Sequence, residues 1–368
     1  MKKLKICVYA ITKNESKFVK RWVESMKEAD EIFVLDTGSS DNTVSLLKKY
    51  GVHVEKKIID PWRFDVARNL SLEMVSSDAD ICVCTDLDEV FEKGWRENLE
   101  HVWDQQSMNR LQYLYHWSHT DDGTPTTTFY ISKIHSRDGF LWKHPVHEVL
   151  EAKEGIVEKN ALTDQVVVHH YPDQTKSRSS YLPLLEMSVV EDPDDDRNMH
   201  YLGREYMYYQ KWDQCIQTLH QHLKMPKATW RDERCASMRF MARSYYAKEY
   251  YEEAKMWYEK AILEAPYLRE GYLELAQLCY ELKEYEEAYD HLMKAFDIKE
   301  KSVSYINESF AWNEFIYDLL SLVCYELEKY EDAYVYSKEA IRINPKDERL
   351  QSNFRFIEEK AQKKFKES

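Results

Sequence analysis

One phrase recurs in the second half of this chain and restricts its fold more than any other feature. Tyr250-Tyr-Glu-Glu-Ala254, Tyr285-Glu-Glu-Ala288 and Tyr330-Glu-Asp-Ala333 are versions of the same segment. Ala254 and Ala288 lie 34 residues apart, as do Ala261 and Ala295. Ala261 precedes Pro266 at the interval by which Ala340 precedes Pro345. A fixed period of this length marks an array whose units stack in one dimension, each too small to bury its own apolar face. Small residues fall where two helices press together, and proline stops the second helix. A weaker, earlier copy holds Gly203, Tyr206, Trp212 and Cys215, which makes four units, with an insertion near residues 302–312. A closing helix from about Asp347, rich in Lys and Glu, would cap the open end of the stack. No catalytic grouping is visible in this half, and its Met, Tyr and Trp positions read as repeat core.

The first half follows another pattern. Strand-like runs at residues 5–10, 31–35, 52–57 and 80–85 alternate with helical patterns at 15–29, 42–50 and 64–76. In the first helix Phe18, Trp22, Val23 and Met26 recur at helical spacing, and Ser40 or Asp41 is placed to cap the second. Such alternation implies βαβ units and a parallel sheet. Residues 110–117 and 126–134 then read as antiparallel strands joined through Asp121-Asp-Gly-Thr124, and Val166-Val-Val-His-His-Tyr171 as a short strand ending in two histidines. Glu191-Asp-Pro-Asp-Asp-Asp196 separates the two patterns. The expected domains are therefore residues 1–190, α/β, and 191–368, all helical.

Composition excludes several classes. A formal net charge of -15 disfavours nucleic acid and anionic membrane surfaces, whose binding rests on Lys and Arg. Seven cysteines, an odd number set mostly in apolar runs, read as buried thiols of a reducing compartment. The charged start Met-Lys-Lys-Leu-Lys leads into a first strand and not a signal peptide, and no run is long enough to span a bilayer. The expected location is the cytoplasm.

The chemistry starts at Ile81-Cys-Val-Cys-Thr-Asp-Leu-Asp-Glu89, a buried strand that runs into carboxylates. In open α/β sheets ligands bind beyond the carboxyl ends of strands. Asp86 and Asp88, two residues apart, reach the same side and repel. Mg²⁺ or Mn²⁺ would relieve that repulsion together with substrate phosphates, so the stretch suggests a metal–diphosphate site. Asp36, at the end of the second strand, either accepts a hydrogen bond from an imide N–H or a ribose hydroxyl or shapes its own turn. Neither Gly-x-Gly-x-x-Gly nor a P-loop follows the first strand. Trp117 and Trp142 either stack on a sugar face or belong to the core, the commoner fate of aromatics at this density.

Four motifs in order carry a family resemblance: Thr12-Lys-Asn-Glu15, Asp36-Thr-Gly-Ser-Ser-Asp-Asn-Thr43, Phe64-Asp-Val-Ala-Arg-Asn69 and Asp86-Leu-Asp88. Over about residues 5–181 the chain resembles the family 2 glycosyltransferases of the GT-A fold, a Rossmann-like nucleotide-sugar-binding domain. The second half resembles tetratricopeptide repeats. The first resemblance implies a UDP-sugar donor, with Thr12, Asn14 and Glu15 in the first loop and Asp36 at the uracil or ribose. Arg68 borders the base pocket with Asp65 beside it, and Asp86 and Asp88 meet the ribose and a Mn²⁺ or Mg²⁺ ion. An inverting transfer needs a general base to deprotonate the acceptor. In His144-Pro-Val-His-Glu148 that base is Glu148, with His147 orienting it or the acceptor. The family's usual Glu-Asp pair is absent here. A late histidine completes the metal site in several such enzymes; His170 is the first choice and His169 the alternate, because strand alternation aims them apart. Lys176 and Arg178 follow in a segment that could close over the diphosphate.

The Gln-x-x-Arg-Trp signature of processive synthases is missing, which favours single transfer. The repeats would bind a protein or peptide acceptor, or serve structurally by rigidifying the enzyme or building a homodimer. A glycan precursor is the rival acceptor. A sugar nucleotidyltransferase would want a Gly-rich loop after the first strand, where Ile11-Thr-Lys-Asn-Glu15 has none. A non-enzymatic scaffold with a degenerate transferase domain is the second rival.

Overall fold

A computed structural model describes residues 3–103, 107–173, 175 and 179–367. The chain divides into two compact units, Met1–Asp192 and Pro193–Ser368.

The first unit opens with β1 (Ile6–Thr12), α1 (Ser16–Met26), β2 (Glu31–Asp36), α2 (Thr43–Lys49), β3 (His53–Lys56), α3 (Phe64–Glu73) and β4 (Ile81–Thr85). There follow β5 (Glu89–Phe91), α4 (Trp95–Val102), β6 (Arg110–His119), β7 (Pro125–Ser136), β8 (Phe140–Lys143), β9 (Val149–Ala152), β10 (Asn160–His170) and α5 (Tyr181–Glu191). One eight-stranded sheet runs β3-β2-β1-β4-β7-β6-β10-β5, and β8 pairs with β9 in a separate hairpin. β1 is parallel to β2 and β4, as the alternation implies. β7 then joins β4 antiparallel, with Val83 opposite Ile134, and β6 joins β7 antiparallel. Every residue of β1 and of β4 is buried, so both strands read as continuous apolar runs. α1 closes one face through Phe18, Val19, Trp22, Val23 and Met26.

Several boundaries differ from those read in the sequence. β1 continues to Thr12, where it pairs with Asp36, so the first loop begins later. α2 is capped at Asn42 without a side-chain bond, while Asp41 instead accepts from the Thr43 amide. β10 starts at Asn160 and not at 166, because its polar first half pairs with β6 at the open side of the sheet. β5, β8, β9 and α4 escape the sequence reading, being only three, four, four and eight residues long.

The second unit is helical. Its elements are α6 (Asp196–Tyr208), α7 (Trp212–His222), α8 (Arg231–Ala247), α9 (Tyr251–Glu264), α10 (Arg269–Glu281), α11 (Tyr285–Asp297), α12 (Phe315–Glu326), α13 (Tyr330–Ile343) and α14 (Glu348–Glu367). A 3₁₀ turn at Ser309–Trp312 lies between α11 and α12. Successive helices pack in pairs, and α14 lies on α13. The recurring alanines Ala254, Ala261, Ala288, Ala295, Ala333 and Ala340 are all buried. In the first pair a glycine takes that place: a Cβ on Gly203 would sit 2.2 Å from Leu219 Cδ2, so only glycine lets α6 and α7 approach this closely. The insertion before α12 is not a loose loop. Glu308 binds Arg239 and Arg243, and the Tyr305 hydroxyl donates to Glu233 at 2.6 Å. Among the described residues no helix is long and apolar enough to cross a membrane. All seven cysteines are buried free thiols.

Candidate functional site

The carboxyl ends of β1, β2 and β4 gather three loops at one edge of the sheet. Asn14, with a positive φ of 55°, stitches two of them together. Its Oδ1 accepts from the Ser40 amide at 2.8 Å, and its own amide donates to Ser39 Oγ at 2.9 Å. The Thr12 hydroxyl donates to Glu15 at 2.9 Å, and the Glu15 amide donates to Thr43 Oγ1 at 2.8 Å. Asp36 is fully buried, and its carboxylate accepts from the amides of Gly38 and Ser39 at 3.2–3.3 Å. The turn-shaping reading of Asp36 is thus visible directly.

Behind these loops lies a chain of opposite charges. Arg68 on α3 is 4% exposed; its Nε donates to Glu148 at 2.5 Å and one terminal nitrogen to Asp86 at 2.8 and 3.0 Å. Lys133 on β7 donates to Asp86 at 2.9 Å and to Glu89 at 2.6 Å. Glu89 also accepts from the Tyr115 hydroxyl at 2.9 Å and from the Asp86 amide at 3.1 Å. Burial alone would raise the Asp86 carboxyl; Arg68 and Lys133 outweigh it and hold the group well below its ordinary range. Burial dominates at Glu89 and raises it.

This corrects the sequence reading of Asp86. It is not a bare carboxylate repelling Asp88, because two cations that lie far away in the chain already neutralise it. Neither Lys133 nor Glu89 is picked out by sequence reasoning. The one available signal is a lysine inside the otherwise apolar or neutral run of β7.

Asp88 faces an imidazole and not a permanent cation. Its Oδ2 lies 3.5 Å from His170 Nε2, and that ring stacks on Trp117 with centroids 4.3 Å apart. His170 Nδ1 lies 3.1 Å from the Trp117 carbonyl oxygen, to which it donates, and Nε2 faces Asp88. Burial lowers the His170 pKa, but Asp88 outweighs this and the net direction is upward. His169 points away, hydrogen-bonded to His119 and Glu92 at 2.9 Å each. The strand alternation therefore separates the two histidines as expected. Asp88 carboxylate and His170 imidazole fit a hard-to-borderline divalent cation, since the Nδ1 contact is the outer-shell bond that orients a ligating histidine.

Other expected residues fall elsewhere. Asp65 is clamped by Arg63 at 2.8 and 3.0 Å, and Arg63 also holds Glu191, so its side chain serves that bracket and not the Arg68 cluster. His147, at φ 52°, packs against Tyr181 with ring centroids 5.7 Å apart, and Arg68 holds Glu148. Trp142 is core, its indole donating to the Tyr9 hydroxyl at 2.9 Å. Trp117 is not: it is 46% exposed beside His170. Lys176 and Arg178 lie outside the described residues.

With this geometry in view, the comparisons with known proteins are specific. Residues 7–145 match the model of the family named Glycosyl transferase family 2. Residues 240–267, 270–302 and 316–347 match the tetratricopeptide repeat model. The chain thus carries a family 2 glycosyltransferase domain followed by tetratricopeptide repeats. It is similar to an uncharacterized glycosyltransferase of Rickettsia conorii, 34% identical over 30% of this chain and 37% of that one. An uncharacterized glycosyltransferase of Rickettsia bellii is 31% identical over 29% and 35% of the two chains. The match spans little more than a third of these relatives' length. Among solved structures, Pseudomonas aeruginosa pilF is 16% identical, covering 46% of this chain and 70% of that one with a TM-score of 0.38.

Proposed function

We propose that the first unit is a metal-dependent, inverting hexosyltransferase that uses a UDP-sugar. The observation that carries this reading is the pairing of Asp88 with an oriented His170 at the ends of parallel strands, next to the Arg68–Glu148 ion pair. Asp88 and His170 would hold Mn²⁺ or Mg²⁺, which neutralises the donor diphosphate and stabilises it as leaving group when bound. Asp86 meets the ribose from within its Arg68–Lys133 clamp. Thr12, Asn14, Glu15 and Asp36 shape the nucleotide pocket; Asp36, whose carboxylate is buried, does so by ordering its turn. Trp117, exposed beside His170, offers a face for the sugar.

Glu148 takes the proton of the acceptor hydroxyl or amide as that atom forms its bond to the anomeric carbon. The bond from that carbon to the diphosphate oxygen breaks on the opposite side, so configuration inverts. Arg68 orients Glu148 and keeps Asp86 ionised. Arg178 and Lys176 stabilise the departing diphosphate. The repeats bind a protein or peptide acceptor; transfer to a glycan precursor, and a role for the repeats in a homodimer, are the rivals that acceptor screening separates.

The test is calorimetric titration of the whole chain with UDP-glucose, UDP-GlcNAc, UDP-galactose and GDP-mannose, each with Mn²⁺ and with EDTA. Metal-dependent binding of one UDP-sugar is expected. Binding of none would favour a non-enzymatic scaffold, and binding unchanged in EDTA would remove the metal from the reading.

A further inference from the structure

Three helices of the second unit bring together side chains that the repeat pattern does not call for. His200 of α6, His222 at the end of α7 and Glu233 of α8 are 1%, 0% and 4% exposed. One ligating atom from each lies within 4.8 Å of the others. Ser237, one turn after Glu233 and fully buried, stands between the imidazoles. Its Oγ is 2.7 Å from His200 Nδ1 and 3.0 Å from His222 Nδ1. Both Nδ1 atoms are therefore engaged, while both Nε2 atoms are buried with no hydrogen-bond partner among the described residues. His222 Nε2 is 3.4 Å from Glu233 Oε1, and Glu233 Oε2 accepts from the Tyr305 hydroxyl at 2.6 Å.

Buried polar atoms are nearly always hydrogen-bonded, so two orphaned nitrogens in one place call for a missing partner. Two imidazoles and a carboxylate are a donor set for a borderline first-row cation, Zn²⁺ above all. Ser237 supplies what ligating histidines almost always have, an outer-shell partner on the other nitrogen. A hydroxyl oxygen has two lone pairs, so Oγ can accept from both Nδ1–H groups, which leaves both Nε2 atoms unprotonated and able to ligate. Without an ion the hydroxyl donates to one ring, whose Nε2 then carries the proton; ion binding shifts that ring to its Nδ1–H tautomer with no net release of a proton.

The position makes sense within the array. The repeat-model matches begin at residue 240, so α6, α7 and the start of α8 lie where the pattern is weakest. We propose that His200, His222 and Glu233 form a buried Zn²⁺ site that ties these three helices together. The proposal is independent of the transferase reading.

The experiment uses the full chain carrying Asp88→Asn, so that the first unit's cation site does not contribute. The chelator-stripped protein is titrated with ZnCl₂ alone, metal is counted by mass spectrometry, and unfolding is followed by circular dichroism. One equivalent of Zn²⁺ is expected, together with a rise in Tm. His222→Ala and Glu233→Gln should lose the equivalent, and Ser237→Ala should bind about 10–100-fold more weakly. The X-ray absorption spectrum of the Zn²⁺-loaded Asp88→Asn chain should show two imidazole nitrogens, a readout that needs no further variant to fold. Failure of the folded chain to retain Zn²⁺, an oxygen-only shell, or undiminished Zn²⁺ in His222→Ala would overturn the site.

Discussion

Two clusters of opposite charges, one in each unit, look alike in composition and differ in the residue at which they end. In the second unit Arg239 and Arg243 both bind Glu274 and both bind Glu308, so each carboxylate is held by two arginines. Arg239 is fully buried. In the first unit Arg68 and Lys133 hold Asp86 in the same manner, and its side chain is about as exposed as that of Glu308, 31% against 33%. Its neighbour Asp88 then faces an imidazole instead of a permanent cation. Ion pairs between permanent charges that neutralise one another specify packing. The first cluster ends on a carboxylate and an imidazole at the carboxyl ends of strands, the place where ligands bind in open α/β sheets.

The comparison can be broken at either end. The largest effect is expected from Glu148→Gln, which should lower turnover by roughly 10²–10⁴-fold with donor affinity little changed. Near-normal turnover in that variant would remove Glu148 from the role of base. Arg239→Ala should destabilise the chain by about 3–5 kcal/mol in denaturant unfolding, because it leaves carboxylates without their buried partner. Donor binding should survive it under folding conditions; a lost donor site would show that the second cluster is not purely structural. Lys133→Met sharpens the contrast, since it should weaken UDP-sugar binding by about tenfold, or about 1.4 kcal/mol, where Arg243→Met does not. Equal donor affinity for both variants would sink the distinction.

The smallest effect concerns Asp41. Burial would raise its carboxyl, but hydrogen bonds from Thr43 and Ser16 bring it from 3.8 down to about 2. A depressed folded pKa contributes stability above the unfolded value that is lost as pH falls through the folded one. Asp41→Asn should therefore cost less than about 1 kcal/mol at neutral pH, because the group is solvent-screened, and the difference should vanish on acidification from about pH 4 to 2. A difference that persists at the acid end would place the effect in packing and not in charge.

Much of both units is legible in the sequence, for reasons that can be named residue by residue. Ile81–Thr85 reads as a buried strand because each of its residues is apolar or small, and the loop after it carries the carboxylates. Ala254 and Ala288 read as helix contacts because a 34-residue spacing returns the same face to the same neighbour. The separation of His169 from His170 follows from strand alternation alone. Lys133 is not legible, because nothing local distinguishes a lysine that snorkels to water from one pinned by two buried carboxylates. Glu89 stands in the most informative stretch and still passes unread, since its partners Tyr115 and Lys133 come from β6 and β7. Glu308 hides in an apparent insertion, and His200, His222 and Glu233 share no spacing that marks a metal site.

The sequence by itself determined the alternation of the first strands and helices, the family 2 glycosyltransferase motifs and the repeat array. These depend on periodicity and on loop chemistry, which act over a few neighbouring residues. Only the tertiary structure decided which charge answers which: Arg68 with Glu148 and Asp86, Lys133 with Asp86 and Glu89, His170 with Asp88, Ser237 between two imidazoles. Those pairings join residues up to 82 positions apart or on different helices. They depend on sheet order, register and helix approach, and a partner met through folding leaves no trace in the local pattern of either residue.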